Sequence, residues 1–120
     1  MVYAKMKADD PRVKGAVEWV QRHFTFTENP GMGDAGLYYY LHTCAKALNA
    51  YGQEVITDAA GKPHPWRAEL IQQLLKLQKE DGQWVNTNGR WWESVPDLAT
   101  AYAVLALEVA GGKDLKAAQP

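Results

Sequence analysis

Cysteine and serine are nearly absent: Cys44 and Ser94 are the sole examples among 120 residues. One cysteine excludes an intrachain disulfide and a cysteine-cluster zinc site, and it fits a reducing compartment. One serine outside any G-x-S-x-G leaves no nucleophile elbow. No run of roughly 20 apolar residues occurs, so no membrane-spanning helix is expected. The start, MVYAKMKADDPRV, has no apolar core of the kind a signal peptide needs, and a soluble, cytoplasmic chain is expected. An excess of charge is also lacking: 13 basic against 14 acidic residues give a net charge of -1, which offers no electrostatic footprint for nucleic acid. Phosphate loops are missing too. GMGDAG (Gly31 to Gly36) lacks the full glycine pattern and a preceding strand, although it opens a helix whose amides could either bind an anion or simply be capped.

What is present is apolar and aromatic. Hydrophobic residues make up 47% of the chain, enough for a folded core, and the length suits one domain spanning residues 1–120. Five tryptophans are a heavy load, each wanting a broad surface and a partner for its N–H.

Four helices are expected. Pro11 suits a first turn, Asp9 or Asp10 can cap it, and Val13, Ala16, Val17 and Val20 recur at helical spacing up to about His23 or Phe24. After a loop full of breakers, GLYYYLHTCAKALNAYG reads as a second helix closed by Gly52. A third starts at Pro65, places Leu70, Leu74, Leu75 and Leu77 on one side, and runs to a stop at Asp81-Gly82. The fourth, after Pro96 and a capping Asp97, is apolar almost all round and ends at Gly111-Gly112.

These helices repeat as pairs. Val13, Val17, Val20 and Gln21 superpose on Leu70, Leu74, Leu77 and Gln78, while Ala47, Leu48 and Gly52 superpose on Ala106, Leu107 and Gly111. The units cover about 11–52 and 65–112. In each, the first helix keeps a polar stripe and is expected to face water. The second is apolar on nearly all sides and is expected to be covered on more than one face. Two concentric helical layers would satisfy both, and so would a plain four-helix bundle.

The stretch QKEDGQW, with Gln78, Asp81, Gly82 and Trp84, followed by the small-residue helix TAYAVLAL, resembles the QW repeat of squalene-hopene cyclases and other terpenoid cyclases, whose helical pair is shared with protein prenyltransferases. The first unit departs from it: Gln21 is followed by RHFTF, with Phe24 or Phe26 in place of the tryptophan. The resemblance implies an all-α fold, two helical hairpins of an α/α toroid. It also implies that Gln78 bonds unpaired backbone at a neighbouring helix end while Trp84 spans the junction between units.

The family's chemistry is not matched. Its cyclases use a DxDD acid motif, whereas here Lys7 stands where the first Asp would be, before Ala8, Asp9 and Asp10. Its prenyltransferases hold zinc with Asp, Cys and His, but His42 and Cys44 point to different faces of a helix with no carboxylate at helical spacing. No catalytic residue, metal or cofactor is therefore assigned, and Cys44 reads as a small core residue. The candidates for lining a cavity are Tyr38, Tyr39 and His42 in the second helix, and Arg90, Trp91, Trp92 and Glu93 before the fourth. Aromatic walls of this kind suit an apolar or isoprenoid ligand; the same rings could instead pack helix on helix.

Three functions of different class follow: a scaffold or hydrophobic-ligand or partner-binding module without catalytic residues, a fragment of a terpene cyclase-like enzyme acting on polyprenyl substrates, or an assembly with its own lipid site. The toroid of the family has twelve helices and this chain supplies four. A homotrimer would close the ring.

Overall fold

The computed structural model describes residues 9–111. Lys7, Ala8 and Gly112, named above, lie outside the described residues. Four helices carry the fold: α1 (Pro11–Arg22), α2 (Leu37–Tyr51), α3 (Trp66–Leu77) and α4 (Pro96–Ala110). Between α2 and α3 lies a two-stranded antiparallel hairpin, β1 (Ile56–Thr57) and β2 (Pro63–His64), pairing Ile56 with His64. Among the described residues no helix is long and apolar enough to cross a membrane.

Local chemistry explains where each helix starts. Asp10 caps α1 by accepting the Arg12 amide at 2.8 Å, and Pro11 fills the first turn. Arg12 holds the Asp10 carboxyl down at about 2. The apolar stripe Val13, Val17 and Val20 is then buried. α2 ends as expected at Gly52, left-handed with φ 87°, whose N–H donates to the Leu48 carbonyl. Helix α4 corrects the reading of Asp97: Val95 is the cap and Asp97 lies inside the first turn, where its charge still favours the helix dipole.

α2 is the centre of the assembly, packed mainly on α4, with α1 on α2 and α3 on α4. All four buried residues of α4 are alanines (Ala99, Ala103, Ala106, Ala110), so large side chains do not hold the two central helices apart. The other side of α4 is open, and this corrects the expectation that it is covered on more than one face. Val104 and Leu105 are 40% and 41% exposed beside Ala101. Leu75 of α3 is likewise 57% exposed and not in the core, because Leu70 and Leu74 fill the covered face.

The QW stretch also differs from expectation. Helix α3 stops at Leu77, and Gln78 is already extended. The reason is Trp84. The chain turns back through a tight loop (Lys79 N–H to Gln83 O, 2.8 Å; Gly82 φ 89°) so that the buried Trp84 ring donates its indole N–H to the Leu74 carbonyl at 2.9 Å. The Trp84 amide donates to the Thr100 hydroxyl, which donates back to the Trp84 carbonyl, fixing α3 to α4. The exposed Gln78 side chain donates to the Gly82 carbonyl of its own loop, and Asp81 accepts from Gln83. The reaching role expected of Gln78 belongs to Gln21, whose side chain donates to the Thr57 carbonyl of the hairpin at 3.0 Å.

Two further ties join the elements. Trp66, fully buried, donates its indole N–H to the Gln53 carbonyl. Arg67 donates to the Val109 and Ala110 carbonyls at the end of α4, to Asn49 of α2 and to Glu54. Gly111 therefore needs no left-handed turn, and its φ is -94°. The guanidinium takes the carbonyls that such a turn would have satisfied.

Candidate functional site: an aromatic notch over the start of the second helix

Two loops meet at the N-terminal end of α2. The first is folded on itself: the Asn29 amide donates to Gly33 O at 2.7 Å, and its side-chain amide donates to Ala35 O at 2.9 Å. It delivers Gly36, left-handed with φ 68°, to the helix start. Only glycine suits that position, since a Cβ would also stand 3.1 Å from the Trp91 ring.

The second loop, 86–95, is locked onto the first. Asn88 bonds the Asp34 carboxylate at 3.0 Å and holds the Arg90 amide, and the Asn86 side chain bonds the Asp34 carbonyl. Glu93 is the keystone. It is fully buried, and its two carboxylate oxygens accept the Tyr38 amide at 3.0 Å and the Tyr39 amide at 2.9 Å. Asn86 donates to the same carboxylate, and its own N–H donates to the Glu93 carbonyl. A buried charge needs such partners, and the first turn of a helix supplies unpaired N–H groups and a favourable dipole.

Between these fixed points runs the 3₁₀ turn Arg90–Trp92, in which Trp91 and Trp92 both have φ 66°. For bulky residues this is a strained backbone, costing about 1–2 kcal/mol at each position. It persists because Asn86, Asn88 and Glu93 fix the chain on both sides. The strain holds the two rings outward, 55% and 75% exposed. Tyr39, 56% exposed, meets Tyr102 edge-to-face at 5.6 Å on the opposite wall.

The result is an open notch of about 450 Å³ lined by Asn29, Met32, Gly36, Tyr39, Trp91, Trp92 and Tyr102. Of the residues singled out from sequence, Tyr39, Trp91 and Trp92 line it. The other four stand elsewhere. Tyr38 is buried in the core, its phenol pushed up by burial and by Glu93. His42 is buried near Tyr102, with a pKa lowered by burial and by Lys46. Arg90 stacks its guanidinium 5.2 Å from the Trp91 ring. Glu93 lies beneath the notch as the helix cap. Cys44 is buried, and burial pushes its thiol up to about 12, so it stays protonated. Tyr102, Met32 and Asn29 were not foreseen. Tyr102 is the one aromatic residue of α4, which is a usable signal.

The lining offers rings, a thioether and one amide, with no carboxylate, imidazole or amine. It can bind and shield an apolar group, but it has no group of its own to move a proton at neutral pH. Among the described residues no group of three His, Cys, Asp or Glu side chains is arranged to hold a metal ion. Fold and notch together define a class: a mostly helical domain of four helices and one short hairpin, with an aromatic notch at the start of its second helix. No family model, curated protein or solved structure matches the chain.

Proposed function

We propose that this chain is a two-unit arc of an α/α toroid of the terpenoid cyclase and prenyltransferase type, serving as a non-catalytic module that binds an apolar, isoprenoid-like ligand in the aromatic notch. The observation that carries the ligand reading is the cluster of Tyr39, Tyr102, Trp91 and Trp92 around one cavity of ligand size. Two of these rings are held in water by a strained backbone, an arrangement that packing alone does not require. The toroid reading is supported by the resemblance of QKEDGQW and by the layering, with α2 and α4 as inner neighbours and α1 and α3 each against its own partner.

Titration with farnesol, followed by tryptophan fluorescence, tests the notch. We expect a saturable change, and Trp92→Ala should weaken binding by about tenfold, the loss of one aromatic contact. Trp92 is the most exposed ring, so the variant should fold normally. A non-saturable response, or identical titrations for both proteins, would overturn the reading.

Assembly rests on a separate observation. The open strip of α4 formed by Ala101, Val104 and Leu105 is apolar, and three copies of this chain would supply twelve helices. A solution mass near three times 13.4 kDa by light scattering is the expected result, and a persistent 13.4 kDa monomer would exclude the ring.

A further inference from the structure

The connection between the two units holds a second cluster, unrelated to the notch. His64 is 7% exposed, and both of its ring nitrogens face carboxylates. Nε2 lies 2.8 Å from Asp58 Oδ2, and Nδ1 lies 3.0 Å from both oxygens of Glu69. A neutral imidazole has one N–H and one lone pair, whereas an ionised carboxylate can only accept. Both bonds therefore exist together only when the ring is an imidazolium. Loss of one proton sets a lone pair against a carboxylate.

The surroundings sharpen that choice. Asp58 comes from the hairpin turn, where it also accepts the amides of Ala60 and Lys62, so it cannot readily move. Glu69 comes from α3, and its side chain is 35% exposed. From the α1 side the imidazole meets the Phe24 ring, stacked at 3.8 Å. Among the described residues the charged groups acting on it are these two carboxylates.

We propose that Asp58, His64 and Glu69 form a pH-sensitive latch, which clamps the 56–64 hairpin to α3 while His64 carries both protons and releases the Glu69 arm when one is lost. The direction of titration agrees. Burial pulls the His64 pKa down, but the hydrogen bonds to Asp58 and Glu69 more than reverse this and leave it raised. A raised histidine contributes stability that is fully present below its unfolded value of about 6.5, and that is lost as pH rises through the folded value. Asp58 is lowered, chiefly by the bond from His64, so its contribution is lost only as pH falls through its folded value. The latch is thus closed in mildly acidic solution and opens on the alkaline side.

Amide hydrogen exchange on the full chain between pH 5.5 and 8.5, corrected for intrinsic rates, reads the latch. Protection at Ile56–His64 should fall about threefold to tenfold as pH rises, the share of one partly exposed hydrogen bond, while Leu41 and Leu48 in α2 stay unchanged. Glu69→Gln supplies the decisive comparison. Its amide can donate to the imidazole lone pair, so a neutral His64 satisfies both partners and the pH step should vanish with the hairpin still protected. A flat wild-type profile would overturn the proposal, as would an unchanged step in Glu69→Gln.

Discussion

Replacing Glu93 with alanine is expected to lower stability by about 3 kcal/mol and to dissolve the notch as well. The carboxylate is fully buried and accepts the Tyr38 and Tyr39 amides, two of the N–H groups that α2 cannot satisfy internally. Alanine leaves both unpaired at a buried position, and it removes one partner of the Asn86 side chain. The second effect follows from the first. Trp91 and Trp92 keep φ 66° only while the chain on either side of them is pinned. Without Glu93 the strain is relieved by rotation of the backbone, and Trp91 leaves its place against Gly36. Urea denaturation measures the stability loss, and near-ultraviolet circular dichroism reports the rings. A wild-type midpoint for Glu93→Ala would show that the carboxylate does not cap α2.

Trp84→Ala is expected to cost about 3–4 kcal/mol, a large part of what a domain of this size possesses. Its ring is buried in the core beside α3 and α4, and its N–H supplies a second donor to Leu74 O, which already accepts from the Gln78 amide. Trp84→Phe separates the two contributions. Phenylalanine keeps most of the buried surface and forfeits the hydrogen bond, so it should cost about 1 kcal/mol of that total for the bond, with a further term for the lost volume. Thermal melts of the three proteins check the order. An alanine variant as stable as wild type would remove the tryptophan from any structural role.

How far the sequence could be read depended on how local each cause was. The starts of α1 and α2 and the end of α2 are written in adjacent residues, Asp10-Pro11, Gly36 and Gly52, and these are legible. The end of α3 is not, because Gln78, Lys79 and Glu80 favour helix and yield to a ring that comes back from position 84. The hairpin has strands of two residues, too short for any alternation, although Asp58 three residues before Gly61 is a turn signal. Three of the seven lining residues of the notch, Tyr39, Trp91 and Trp92, are legible as aromatics in α2 and before α4. Its organisation was hidden, since Glu93 acts on amides 54 and 55 residues away and nothing in an Arg-Trp-Trp-Glu run distinguishes a rim residue from a cap. Helix α4 misled for a different reason: a sequence apolar on all sides says nothing about which side is covered.

Four of the ties between elements share one property. Gln21 ends on the carbonyl of Thr57, Trp66 on that of Gln53, Trp84 on that of Leu74, and Arg67 on those of Val109 and Ala110. Each joins a particular side chain to a main-chain oxygen that every amino acid carries. The receiving positions are therefore free to change identity over evolutionary time while the donors are held. Such contacts leave no paired substitutions behind, and two proteins could share this whole set of fastenings while agreeing at only four residues.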